Sequence, residues 1–135
     1  MPNKIQPCRF DITECSGLAI YRSSDWSLSF KISERNGLVD TPVDLSGYTG
    51  KASIKHLLTD ETPIVEPTVS TYQDGTVVVG LGASLTKNIL VPGKTYNDPC
   101  TMMYEIILHN TETDEDFRSL YGEVSVIGSC FDGND

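Results

Sequence analysis

Positive charge is scarce in this chain. Ten Lys/Arg stand against 19 Asp/Glu in 135 residues, a net charge of -9. A phosphate-binding face needs clustered cations, so nucleic acid is not an expected partner. Long apolar runs are missing as well. The longest candidate, Val77-Val78-Val79-Gly80-Leu81, falls far short of the roughly 18 residues of a membrane helix and suits a strand, so no membrane association is expected. The opening residues Met1-Pro2-Asn3-Lys4-Ile5-Gln6 lack an apolar h-region, so no secretory leader is expected. There is also no Asn-X-Ser/Thr sequon.

Residues that carry chemistry are few. The only histidines, His56 and His109, each close a strand-like segment among polar neighbours. A catalytic pair would require them to converge on carboxylates; two solvated strand ends are the expectation. No G-x-S-x-G elbow occurs, since Gly80-Leu81-Gly82-Ala83-Ser84 places its serine wrongly. The same stretch lacks the third glycine of a dinucleotide fingerprint. The chain is therefore expected not to be an enzyme, with no catalytic, cofactor-binding or metal residues and no cofactor. Its cysteines are Cys8, Cys15, Cys100 and Cys130. The even number permits a disulfide framework, but a chain without a leader folds in a reducing cytosol, where free thiols are expected. Pairing of Cys8 with Cys15, or of Cys100 with Cys130, after release from a cell stays open. No C-x-x-C or close His pair suggests zinc.

What the sequence does have is alternation. A chain of this length fits one domain, and 39% hydrophobic with 21% charged residues is a globular balance. Trp26, Leu28, Phe30 and Ile32 alternate with Ser27, Ser29, Lys31 and Ser33, which predicts a strand with one buried face. Asn36-Gly37 supplies a tight turn, and Pro42 makes the following segment an edge or irregular strand. Thr49–Leu58 is the next strand. An extended segment over Ile64–Tyr72 reaches a hairpin turn at Asp74-Gly75, which leads into Thr76–Leu81. Ala83–Leu90 is the one helical piece, a turn or two stopped by Pro92-Gly93. Met102, Tyr104, Ile106 and Leu108 then share a strand face, as do Leu120, Gly122, Val124 and Val126. Phe117, Ser119, Tyr121, Glu123 and Ser125 are expected on the opposite face, where Met103, Ile107, Phe117 and Tyr121 give an apolar character that calls for cover by a neighbour.

These segments predict an all-β, antiparallel β-sandwich of about seven strands with one short helical turn, an immunoglobulin-like arrangement leading. Residues 1–17 are expected to form an N-terminal arm that lies along the sandwich or reaches another subunit; 18–129 form the domain and 130–135 a short tail. Charge follows this division. Up to residue 97 the chain carries nine Lys/Arg and ten Asp/Glu, and beyond it one Arg and nine acids. A solvated edge and an acidic contact surface for a basic partner both account for that excess. Within it, Glu112-Thr113-Asp114-Glu115-Asp116 offers carboxylates for calcium but lacks the EF-hand spacing and glycine, so a solvated loop is expected.

One resemblance adds to this reading. Asp25-Trp26-Ser27-Leu28-Ser29-Phe30, then Asp44-Leu45-Ser46-Gly47-Tyr48-Thr49 running into Ala52-Ser53-Ile54-Lys55, Asp74-Gly75-Thr76-Val77-Val78-Val79, and the closing Gly122-Glu123-Val124-Ser125-Val126 occur in an order that resembles the small β-sandwich domains of tailed-phage structural proteins, including the N-terminal domain of baseplate upper proteins. The similarity covers residues 20–128. It implies a bacteriophage virion protein, assembled in the host cytoplasm, whose partners are other virion proteins of the capsid or of the tail and baseplate, and which forms homo-oligomers on the particle. No fibre or receptor-binding region is expected to follow, so a capsid decoration (cement) protein or another head- or tail-associated accessory protein is the implied form. The alternative is a carbohydrate-binding module that aids adsorption to the host. It would need an exposed aromatic shelf, for which Tyr21, Tyr48, Tyr72, Tyr96 and Tyr121 are candidates, Trp26 falling in register with core residues.

Overall fold

A computed structural model describes residues 5, 7–13, 18–22, 24–57, 61–87, 89 and 99–127, with backbone alone at 35, 36, 99 and 100. The chain is all-β, and its sheets pack in a sandwich-like arrangement. The larger sheet has the order β1 (Cys8–Arg9), β10 (Glu115–Ile127), β9 (Pro99–Asn110), β6 (Tyr48–Lys55), with β2 (Ile20–Tyr21) also on β10. The smaller has the order β3 (Trp26–Lys31), β8 (Thr76–Leu81), β7 (Thr68–Thr71). A separate hairpin pairs β4 (Ser33–Asn36) with β5 (Val39–Pro42). Against the expected count of about seven, the described residues form ten strands, because the N-terminal segments pair and the hairpin stands apart from both sheets.

Alternation does the work in β3, β8 and β9. Trp26 and Leu28 face Leu81 and Val79 across the ladder, and all four are buried with Val77. Met102, Tyr104, Ile106 and Leu108 supply the opposing wall, each at most 2% exposed. Trp26 is held by its indole N–H, which donates to the Leu18 carbonyl at 2.7 Å. At one side the sheets are tied together. The Ile54 and Val65 backbones form an antiparallel bridge, and the Thr71 hydroxyl donates to the Tyr48 carbonyl at 2.9 Å. The helical piece is a single turn, α1 (Ala83–Thr86). Asp25 accepts from the Ala83 amide at 2.8 Å, and the buried Thr86 hydroxyl donates to the Ser24 carbonyl at 2.8 Å, so the turn is fixed by the segment before β3 rather than by its own length.

Two features depart from the sequence reading. The first is parity in β10. A bulge between Arg118 and Leu120 inserts Ser119 into the ladder, and such an insertion reverses the faces on either side of it. Phe117 therefore sits opposite Leu108 and packs against the core and Tyr48, ring centroids 6.4 Å apart, instead of on the outer face. Ser119 is buried too, its hydroxyl donating to the Ile106 carbonyl at 3.1 Å. The second is direction. The N-terminal residues run parallel to β10, with Cys8 opposite Leu120, Ile12 opposite Val124 and Ile20 opposite Val126. Alternation in an isolated segment carries no direction; here it follows from burial of Ile12 and Ile20 against the sandwich.

Candidate interaction surface

The N-terminal run is fastened by a local exchange of partners. Phe10 and Ile12 amides donate to Tyr121 and Glu123 carbonyls at 2.8 and 2.7 Å, and the Ser125 amide donates to Ile12. Between these, the Phe10 carbonyl accepts from the Tyr104 hydroxyl at 2.5 Å, while the Glu123 amide donates to Asp11 Oδ1 at 2.9 Å. Burial, with the Asp11 charge nearby, raises the Tyr104 phenol above its ordinary value and keeps it a donor. The Glu123 amide, aided by Arg9, holds Asp11 below the usual carboxylate range. Gly122 makes room: a Cβ there would lie 2.6 Å from the Phe10 carbonyl oxygen.

Among the described residues, the side of the sandwich away from the β6–β7 contact stays open: β1 and β3 each have one strand partner there, and between them lies a cleft of about 480 Å³ walled by Phe10, Leu18, Leu28, Phe30 and Leu120, with Cys8 at its lining and Lys31 the single charged residue of that described lining. Beside it rises the β4–β5 hairpin. Asn36 pairs with Val39, so the central turn residues are Gly37 and Leu38. Gly37 alone of them has positive φ, +64°, the pattern of a type II′ hairpin turn. That geometry puts Leu38 at the tip, 99% exposed, with Val39 63% exposed. The hairpin's base is tied where the Val43 amide donates to the Ile32 carbonyl at 3.0 Å.

The outer face of the larger sheet is half-buried by its own ion pairs. Arg118 pairs with Glu105 and lies over the Tyr121 ring, 4.8 Å from its centroid. Met103 and Ile107 are half-buried beside them. The acidic loop at the end of β9 is organised by Asn110, whose side-chain oxygen accepts from the Glu112 and Thr113 amides. His109 spans two of its carboxylates, Nδ1 lying 2.8 Å from Asp116 and Nε2 lying 3.1 Å from Asp114. Among the described residues no group of three or more His, Cys, Asp or Glu is placed to hold a metal ion.

The remaining sequence candidates do not gather. His56 follows β6 at the end away from His109, which pairs with Thr49; the intervening strand separates the histidines by roughly 20 Å. Tyr21 is exposed in β2 of the larger sheet and Tyr72 is exposed just after β7 of the smaller one, Tyr48 packs on Phe117, and Tyr121 lies under Arg118. Cys8 is a free, exposed thiol. Tyr96, Cys15, Cys130, the Cys100 side chain and the tail 130–135 lie outside the described residues. Sequence reasoning missed the cleft, because its walls come from the N-terminal run, β3 and β10; only the Asn36-Gly37 signal pointed to the hairpin. No protein-family model matches the chain, and no curated protein matches it significantly.

Proposed function

We propose that this chain is a non-enzymatic structural protein of a phage particle, a capsid decoration protein or another head- or tail-associated accessory, that works by docking its surfaces on other virion proteins. The observation that carries the reading is the open seam: an apolar cleft between two strand edges with a protruding apolar hairpin at its rim. Unpaired edges accept strands from partners, and contact of this kind needs no chemistry. The sequence resemblance over residues 20–128 supplies the phage context. Binding of the purified chain to cognate particles that lack it tests the proposal, with cryo-EM of the decorated particle or mass spectrometry of separated heads and tails giving the location. Failure to bind such particles sinks it.

A second reading, carbohydrate binding, is favoured by one observation. Tyr72, half exposed, borders a shallow depression with Gln73, Asp74 and Thr76. Glycan-array binding that is lost in Tyr72→Ala supports it; an array without signal removes it.

A further inference from the structure

His109 stands between two carboxylates. In the ladder it is paired with Thr49 of β6 on one side and with Asp116 of β10 on the other. Its Nδ1 lies 2.8 Å from Asp116 Oδ1, and its Nε2 lies 3.1 Å from Asp114 Oδ1. Both are hydrogen-bond distances, and an ionised carboxylate only accepts. A neutral imidazole has one N–H, so it serves one of the two and turns a lone pair towards the other. Only the imidazolium donates to both. Further charged groups surround the ring. Glu112 and Glu115 bring the loop to four carboxylates. The cations on this face are Lys51 of β6, which lines the same depression as His109 and Asp116, and Arg118 of β10, which is committed to Glu105.

The two contacts are not equally fixed. Asp116 sits within β10 and its side chain is 57% exposed, against 92% for Asp114. Asp114 has φ +61°, alone among the described non-glycine residues in taking a positive value, a conformation less favourable for aspartate than for glycine. The residues before it are tied down. The Thr111 amide and hydroxyl both donate to the Gly47 carbonyl, at 3.0 and 2.9 Å, and Asn110 holds the Glu112 and Thr113 amides. When the ring is neutral, its remaining N–H therefore stays with Asp116, and Asp114 is the partner that leaves. We propose that His109 is a pH-sensitive latch on this loop: its imidazolium bridges Asp116 to Asp114 and holds the loop closed, and loss of the proton frees Asp114 and makes the loop more negative. The latch is closed below the range in which histidine changes charge, roughly pH 5 to 8, and open above it. It needs no partner and is independent of both the virion and the carbohydrate readings.

Heteronuclear NMR of the whole chain between about pH 5 and 8 tests it. The Asp114 amide donates to the Asn110 carbonyl at 2.8 Å, so its hydrogen exchange reports the closed loop. Its protection factor, corrected for the ordinary base catalysis of exchange, is expected to fall several-fold as the His109 ring resonances titrate. The neutral ring should carry its proton on Nδ1, read from the nitrogen shifts. His109→Gln should remove the pH dependence. Asp114→Asn is the sharper variant. Its amide accepts from a ring N–H or donates to a bare ring nitrogen, and asparagine tolerates positive φ, so the loop stays closed while His109 still titrates. His56→Gln removes the other titrating ring and should leave the profile of the Asp114 amide as it is. Constant protection across this range in the native chain overturns the proposal, as does a pH dependence that survives His109→Gln or Asp114→Asn. A neutral ring protonated on Nε2 overturns it too, since Asp116 would then be the partner released.

Discussion

The Tyr104 hydroxyl reaches across 94 positions of sequence to the carbonyl of Phe10. Tyr104 belongs to β9 and Phe10 to the N-terminal run, with β10 lying between them in the sheet. The bond therefore passes over a strand and clamps the N-terminal run to the sandwich from the core side. It also displaces one rung of the parallel ladder onto the Asp11 carboxylate.

Removing that hydroxyl in Tyr104→Phe leaves the ring packing in place and takes away one hydrogen bond. The expected loss is about 1 kcal/mol, read as a lower urea midpoint with unchanged slope. Hydrogen exchange should quicken at the Phe10, Ile12 and Ser125 amides before it does so in β9, because the loosened element is the N-terminal run. Uniform acceleration across both sheets would contradict the clamp.

Gly122→Ala attacks the same junction from the other side. The added methyl carbon would stand 2.6 Å from the Phe10 oxygen and 2.7 Å from Asp11 Oδ1, so the N-terminal run must shift. The cost is roughly 1–3 kcal/mol, as for other overpacked sites. Limited proteolysis should cut within residues 7–13 in the variant and spare them in the native chain.

Acid weakens the fold through three exposed aspartates. Asp11 is held low by the Glu123 amide, Asp44 by the Ser46 amide, and Asp74 by the Thr76 hydroxyl and amide. Each carboxyl is lower in the folded chain than its ordinary 3.8. Each bond's stabilisation is thus complete above that value, shrinks as pH falls through it and is gone below the folded-state value. The urea midpoint should decline on this acid limb, and the triple Asp→Asn variant should show a flatter one. Equal slopes would exclude these groups as the cause.

Thr86→Val tests how the single helical turn is held. Thr86 is fully buried and its hydroxyl donates to the Ser24 carbonyl; an isosteric valine leaves that carbonyl without its donor. Destabilisation of about 1–2 kcal/mol is expected. Thr86→Ser keeps the hydroxyl and should retain most of the hydrogen bond while losing a methyl group, and so fall between the two in thermal midpoint.

The sequence by itself determined which residues alternate, and hence that β3, β8, β9 and most of β10 are strands with one face inward. Period-two hydrophobicity is a local property, set by which side chains avoid water. It also determined that the chain turns at Gly37 and Gly75, both at positive φ, but not the register of the first turn: Asn36 stays in β4 opposite Val39, so Gly37-Leu38 make the turn expected at Asn36-Gly37. Only the tertiary structure decided the parity of Phe117, since a bulge exists only against a partner strand. The parallel course of the N-terminal run was likewise decided by contacts distant in sequence, Tyr104 with Phe10 and Asp11 with Glu123. The cleft was invisible for the same reason: its walls are assembled from segments more than a hundred residues apart, and no local pattern records which strand edges will be left facing one another.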